Sequence, residues 1–171
     1  MKHEYGAPES DLVGQGMLRW RKERPDIDCS GKAVVGRILR LQDLAIKAIN
    51  QRLENKGLKF QEYAVLATLR VAGAPYQLSP SKLQNTLLVS SGGLSNLLKR
   101  MESDGLIARS TDLEDKRGVQ VRLTDEGVAL ADLAMPLQAQ TEHDLLTMLT
   151  PSQQKQLSEL LSIMLLGNSP E

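Results

Sequence analysis

The sequence predicts a mainly α-helical protein that carries one small β-hairpin. Apolar residues recur at helical spacing over most of the 171 residues. This pattern is interrupted after Gly105, where residues 106–109 and 119–123 are typical of two strands joined by the polar connection 111–118. Only 3% of the residues are aromatic, so the core must be built from aliphatic side chains and methionine.

Two short helices joined by a tight turn precede the hairpin. Ser79 can cap the first, and Pro80 suits the first helical position, where no hydrogen-bond donor is lost. The second helix starts at Ser90 and Ser91 and has one apolar stripe with i, i+3, i+4, i+7 spacing. That stripe consists of Leu94, Leu97, Leu98 and Met101. The opposite face is short and polar, which suits a helix laid into the major groove of DNA. It holds Ser91, Ser95, Asn96, Lys99 and Ser103.

The tip of the predicted hairpin is basic. It presents Lys116 and Arg117 next to Asp115. Two cations on a hairpin beside such a helix indicate a winged helix-turn-helix, with the wing placed to reach phosphates or the minor groove.

Residues 115–127, DKRGVQVRLTDEG, resemble the wing and the following helix start of the MarR family of bacterial transcription regulators. The similarity in helix order and length extends over residues 58–164. The resemblance implies that Arg117 enters the minor groove and that Asp115 braces the wing. It also implies a regulator that binds DNA as a dimer. Members of this family are more often repressors than activators, so we expect a repressor.

The predicted DNA-binding set combines the two helix starts, the polar face and the wing. Its members are Ser79, Ser90, Ser91, Gly92, Ser95, Asn96, Lys99, Arg100, Asp115, Lys116 and Arg117. Gly92 and Gly93 are unusual at a helix start, since each costs about 1 kcal/mol relative to alanine. Either they let the backbone approach a phosphate closely, or they are a tolerated imperfection.

Long apolar helices flank this region and predict a second, helical lobe. One extends from Ser30 or Gly31 to about residue 56, one from 124 to about 149 with a bend at Pro136, and one follows a capping box at 150–153. Their apolar surface is wider than one chain needs, which indicates burial against a second chain. The resemblance to the MarR family implies that this second chain is a twin, so we expect a homodimer. We therefore expect an N-terminal extension with a short helix (1–30), a dimerisation region (31–57 and 124–171) and a winged helix-turn-helix DNA-binding lobe (58–123).

The charge distribution agrees with this division. Net charge is zero, but residues 1–123 carry 20 Lys and Arg against 14 Asp and Glu, while residues 124–171 carry 1 against 7. A basic part that contains the helix-turn-helix and an acidic helical tail fit a protein that binds double-stranded DNA with one end and itself with the other. A twofold dimer predicts an operator that is an inverted repeat.

The resemblance also implies a small effector, often aromatic or phenolic. Its binding would change the distance between the two recognition helices of the dimer, which are the helix from Ser90 and Ser91 in each chain. The N-terminal helix resembles that of the urate-responsive subgroup, and Trp20 and Arg109 match its ligand positions. The subgroup's aspartate position is Ala64 and its recognition-helix arginine position is Leu97, which favours a less polar effector, or none. The predicted effector set is Trp20, Arg37, Ala64, Leu97 and Arg109. Alternatively, Trp20 packs its helix onto the core.

Three other hypotheses are weaker. Cys29 lies just before a helix start, a position that can favour the reactive thiolate of a redox-sensing regulator. The negative charges of Asp26 and Asp28 beside it would disfavour that thiolate. Residues 142–144 hold Glu, His and Asp, yet adjacent helical residues point in different directions, which favours a solvated face over a metal site. No nucleophile motif, phosphate loop or metal spacing indicates an enzyme, and we expect no cofactor.

A winged-helix module that binds proteins instead of DNA remains the alternative from another class of function. No run reaches the roughly 18 apolar residues of a membrane span, so we expect a cytoplasmic protein without a membrane partner.

Overall fold

The computed structural model describes residues 10–87, 91–111 and 118–169, without the side chains of Ser91 and Thr111. Seven α-helices and three strands lie in these residues. The helices are α1 (Leu12–Glu23), α2 (Lys32–Leu53), α3 (Phe60–Val71), α4 (Pro80–Leu87), α5 (Ser91–Ser103), α6 (Asp125–Asp144) and α7 (Pro151–Asn168). The strands are β1 (Gln77–Leu78), β2 (Ile107–Thr111) and β3 (Val119–Leu123). The predicted fold class, mainly α with a small β-hairpin wing, is confirmed.

The sheet has one strand more than the sequence predicts. Its order is β1-β3-β2 and both pairings are antiparallel, with Ile107 opposite Leu123 and Leu78 opposite Val121. β1 spans only two residues, which is too short for an alternating pattern to be visible in a sequence. The prediction of a two-stranded hairpin is therefore incomplete: β1 pairs the segment before α4 with the hairpin.

The chain divides into two compact units. One comprises Lys47–Thr141, and the other comprises Met1–Ile46 together with Glu142–Glu171. The first unit extends beyond the predicted DNA-binding lobe on both sides, because it includes the end of α2 and most of α6.

Aliphatic side chains from every helix of the Lys47–Thr141 unit and from its sheet form one core. The predicted stripe of α5 is buried. On the apolar faces that the spacing predicts for α3 and α4, Val65, Leu66, Leu69 and Leu83 are buried and Leu87 is half-buried. The largest fully buried side chains are Leu53, Val65, Leu66, Leu69, Leu83, Met101, Ile107 and Val121. This core holds α3, α4 and α5 against the sheet.

Capping hydrogen bonds and a left-handed glycine define several helix ends. The Asp11 carboxylate accepts the Gly14 N–H at 2.8 Å and caps α1. Gly57, with a φ of 67°, ends the 3₁₀ turn that follows α2. The Thr150 hydroxyl accepts the Gln153 N–H at 3.3 Å, and the Gln153 side chain accepts the Thr150 N–H at 2.8 Å, as in a capping box.

The C-terminal end of α6 is not where the sequence predicts it. The helix ends at Asp144 instead of about residue 149, and turns follow. The Thr147 hydroxyl donates to the Asp144 carbonyl at 3.0 Å, and the Gln154 amide donates to the carbonyls of Leu146 and Leu149, both at 3.1 Å. Side chains thus bond the carbonyls at and beyond the helix end, in place of the backbone bonds of a longer helix. Apolar periodicity does not reveal such bonds.

The other unit exposes much of its apolar surface. α7 has no buried residue, and Ile163 and Leu166 are 67% and 76% exposed. α1 is better packed: its residues Gly14 and Met17 are buried, and a Cβ on Gly36 of α2 would lie 3.1 Å from a methyl group of Val13. No helix of the described residues is long and apolar enough to cross a membrane.

Candidate nucleic-acid interface

α5 presents a polar, exposed face on a helix whose other side is buried. Leu94, Leu97, Leu98 and Met101 lie in the core, while Ser95, Asn96 and Lys99 are exposed. Gly92 at the N-terminal end is also exposed, and a Cβ there would meet no atom within 4 Å. The face predicted to contact DNA is therefore accessible.

α4 leads into this helix from a start that the sequence predicts. It begins at Pro80, and the Ser79 hydroxyl accepts the Lys82 N–H at 3.4 Å. The same hydroxyl lies 3.0 Å from that of Ser81. Ser79 thus caps α4, while its contact with DNA stays a prediction.

Arg100 connects α5 to α3 through a carboxylate that sequence reasoning missed. Its Nη2 and Nε lie 2.8 and 3.0 Å from Oε1 of Glu62. The other oxygen, Oε2, accepts the Lys59 N–H at 2.8 Å at the start of α3. The third position of a helix is a common place for such a glutamate, but a partner 38 residues away has no local signal.

A second ion pair connects α5 to the sheet. Arg109 of β2 donates from Nε to Oε2 of Glu102 at 2.8 Å, and its backbone N–H donates to Oε1 at 3.2 Å. The hydrogen bond from the Arg109 guanidinium, together with the backbone bond and the cation's charge, lowers the pKa of Glu102 below its usual value. The last turn of α5 is therefore held on two sides.

Thr124 joins the turn after α5 to the first turn of α6. Its hydroxyl donates to the carbonyl of Gly105 at 2.7 Å and accepts the Gly127 N–H at 3.0 Å. Gly105 has a φ of 73° and forms a left-handed cap where the helical pattern of the sequence stops. Thr124 also caps α6, the helix that the sequence predicts from residue 124.

Comparison with known proteins decides the family. The sequence model of the MarR family matches residues 56–118. The HTH-type transcriptional regulator PecS of Dickeya dadantii (strain 3937) is 36% identical over 152 residues, which cover 89% of this chain and 89% of PecS. The chain belongs to the MarR family. As a member of it, the protein is a DNA-binding transcriptional regulator and not an enzyme.

Solved MarR-family structures agree with the fold. A cysteine-to-serine mutant of MarR from E. coli, in complex with operator DNA, superimposes with a TM-score of 0.71 at 27% identity and covers 81% of this chain and 99% of its own. BpsR from Bordetella bronchiseptica, whose DNA binding is regulated by 6-hydroxynicotinic acid, has a TM-score of 0.70 at 24% identity over 80% of this chain and 94% of its own. The second likeness is evidence of the fold alone.

Part of the predicted DNA-binding set lies outside the described residues. This holds for Ser90, Asp115, Lys116 and Arg117, and for the side chain of Ser91. The predicted roles of these residues at the helix start and in the MarR-type wing stay predictions.

The predicted effector residues fall into both units. In the N-terminal part, Trp20 is 40% exposed with the Lys32 ammonium 4.4 Å from its ring centre, so the ring lies at the surface and not in a core. Arg37 donates to the Asp11 carboxylate at 2.8 Å and to the Ala33 carbonyl at 2.7 Å.

The other three predicted effector residues belong to the Lys47–Thr141 unit. Ala64 on α3 is half-buried, Leu97 is in the core, and Arg109 is bound to Glu102. An effector that used Arg109 would compete with Glu102 for its guanidinium.

Cys29 is buried, which restricts the access of a peroxide. The neighbouring Asp28 accepts the Ser30 N–H at 2.9 Å and the Ser30 hydroxyl at 3.1 Å, and these bonds lower the pKa of Asp28 below its usual value.

Among the described residues, no group of three His, Cys, Asp or Glu side chains could hold a metal ion.

Proposed function

We propose that this MarR-family protein acts as a homodimer that binds an inverted-repeat operator through α5, represses transcription and is released by a small-molecule effector. The observation that carries this proposal is the two-sided character of α5, which is buried on its aliphatic face and exposed at Ser95, Asn96 and Lys99. The amide, hydroxyl and ammonium groups of these residues can bond base edges in a major groove.

The exposed apolar residues of the terminal helices support the homodimer. In α2 and α7, large aliphatic side chains are about half to three-quarters exposed, and their removal from water would favour association. They are Val34, Val35, Leu39, Leu41, Leu44, Leu160, Ile163, Leu165 and Leu166. Twofold symmetry would then place two α5 helices on successive faces of the major groove, about 34 Å apart.

Control by an effector is what the resemblance to the MarR family implies, and one protein of the same fold provides an example. The DNA binding of BpsR is regulated by 6-hydroxynicotinic acid. An effector of this protein would release it from DNA if it bound more tightly to the dimer whose two α5 helices are at a spacing that does not fit the operator. The effector of this chain would be less polar than urate, because Ala64 and Leu97 provide no charge.

Selection from a random-sequence duplex pool tests the proposal. The purified protein is mixed with the pool, bound duplexes are amplified over several rounds, and the enriched sequences are aligned. We expect an inverted repeat whose half-sites lie about one helical turn apart. No enrichment, or enrichment of a single asymmetric site, would contradict binding by a twofold dimer.

A further inference from the structure

Glu62 is a buried carboxylate at the junction of α3 and α5. The residue is 9% exposed and is one of the few charged residues buried in the described part of the chain. Its partner Arg100 is on α5, between Lys99 and the buried Met101, and the arginine side chain is 52% exposed. A buried carboxylate is costly unless it is paired and hydrogen-bonded, so this arrangement needs an explanation.

The two oxygens of Glu62 have different partners. Oε2 accepts the Lys59 N–H at 2.8 Å and thereby belongs to the start of α3. Oε1 accepts both the Nε and the Nη2 of Arg100, at 3.0 and 2.8 Å. The start of α3 is itself fixed to α2, because the Phe60 N–H donates to the Asn50 side chain at 2.7 Å. One carboxylate therefore connects α5 to a helix start that is itself hydrogen-bonded to α2.

The apolar stripe sets which face of α5 is buried, but it contributes no directional bond to the exact rotation of the helix about its axis. Its buried stripe consists of three leucines and a methionine, and their burial is non-directional. A charge-assisted hydrogen bond between an arginine and a carboxylate does have a preferred direction and distance. The Glu62–Arg100 pair therefore adds a directional bond on the α3 side of the helix, beside the Glu102–Arg109 pair on the sheet side, and constrains the rotation and the axial position of the polar face.

We propose that Glu62 is a positioning residue for sequence recognition, acting through Arg100 on the orientation of Ser95, Asn96 and Lys99. This inference rests on the proposed function, since it requires α5 to contact the operator. The pair also neutralises the charge of Arg100, so without Glu62 the arginine would be available to any phosphate. Loss of Glu62 should therefore weaken specific binding while leaving non-specific binding equal or stronger.

The test uses Glu62→Gln, with Asp132→Asn as the matched control. The glutamine side chain keeps an oxygen for the Lys59 N–H but loses the charge that holds Arg100. Asp132→Asn breaks another arginine–carboxylate pair between two helices, with a more exposed carboxylate, in which Arg70 of α3 donates to Asp132 of α6 at 2.8 Å and α5 has no part. Fluorescence anisotropy of the full-length proteins then gives the affinity for the selected inverted repeat and for a scrambled duplex of equal length.

For Glu62→Gln we expect the ratio of the two affinities to fall about tenfold, the loss typical of one charged hydrogen bond. For Asp132→Asn we expect the ratio of the wild type, because a general loss of stability does not change sequence preference. Arg100→Gln should give the same fall as Glu62→Gln, and the double variant no further fall. Thermal unfolding of each variant checks that the variant is folded at the temperature of the affinity measurement.

Two outcomes would overturn the positioning role. In one, Glu62→Gln keeps the wild-type ratio, as Asp132→Asn does. In the other, Arg100→Gln lowers the ratio and Glu62→Gln does not, which would mean that Arg100 contacts DNA without help from Glu62. A wild-type protein with no preference for any duplex would instead contradict the proposed function and the positioning role with it.

Discussion

At the scale of single residues, Gly127 shows how tightly the sheet and α6 approach each other. A Cβ on this residue would overlap the carbonyl oxygen of Leu106 and lie 3.1 Å from the carbonyl carbon. The contact atoms belong to the backbone, which cannot rotate away as a side chain can. Glycine is therefore required here by space, although it lies in the first turn of a helix.

Gly127→Ala should destabilise the protein by about 3 kcal/mol, the upper part of the range for overpacking. Urea unfolding followed by circular dichroism measures the loss. Gly16→Ala in α1 is the matched control, because a Cβ there would meet nothing within 4 Å and alanine favours a helix by about 1 kcal/mol. Equal midpoints for the two variants would contradict the close approach.

Gly92 poses the opposite case, since its surroundings in the free protein are open. If the backbone at the start of α5 approaches a phosphate, Gly92→Ala should stabilise the free protein by up to about 1 kcal/mol and weaken DNA binding several-fold. Unfolding and anisotropy titrations measure both effects. Unchanged DNA binding would mean that the glycine is a tolerated imperfection.

At the scale of elements, the last turn of α5 is held from two sides, by Glu62 of α3 and by Arg109 of β2. The sequence predicts both ends of α5, its buried stripe and its exposed face, because these depend on local spacing and capping. It predicts neither tether. Each joins residues that are brought together only by the packing of different elements, and an isolated Glu or Arg in a sequence is typical of any solvated surface.

The Glu102–Arg109 tether predicts a pH dependence. The pKa of Glu102 is lowered in the folded protein by the Arg109 guanidinium, so the pair contributes stability above about pH 4.5, the ordinary pKa of a glutamate. That contribution is lost as the pH falls through the lower folded-state pKa. Glu102→Gln should therefore be less stable than the wild type at pH 7, and the difference should disappear in more acidic solution. Urea unfolding across this range measures it, and a difference independent of pH would contradict the tether.

The two elements that the sequence does not predict correctly have a common cause. β1 is a strand because β3 pairs with it. At the end of α6 the Thr147 hydroxyl bonds the Asp144 carbonyl, and the Gln154 side chain of α7 bonds the carbonyls of Leu146 and Leu149. In both cases hydrogen bonds that apolar periodicity does not encode accompany the observed boundary. The buried stripes of α3, α4 and α5 were predictable because one apolar face at helical spacing suffices to define them.

At the scale of the whole molecule, the exposed apolar residues of α7 predict how the dimer can be broken. Ile163→Glu places a charge on a face that we propose to be buried between two chains, and it should shift the protein from dimer to monomer. Sedimentation velocity at several concentrations measures this. Val71→Glu, which adds the same charge at an equally exposed apolar residue of α3 outside this surface, is the control and should leave the dimer intact. A monomeric wild type, or a dimeric Ile163→Glu, would contradict the proposed interface.

The family and the general function were predictable from the sequence because the wing motif at 115–127 is specific. The partners of the buried Glu62 and the surroundings of Gly127 were not, since they depend on the packed structure. The effector stays a prediction, because only some ligand positions of the urate-responsive subgroup are matched. Trp20 and Arg109 match them, but Ala64 stands in place of the aspartate and Leu97 in place of the arginine.

The most direct test of operator recognition is one anisotropy titration of the wild-type protein against the selected inverted repeat and its scrambled counterpart, repeated at rising salt concentration. We predict tight binding to the inverted repeat, weaker binding to the scrambled duplex, and affinities for both that fall steeply with salt because several phosphates are contacted. Equal affinities for the two duplexes at every salt concentration would contradict sequence recognition by α5.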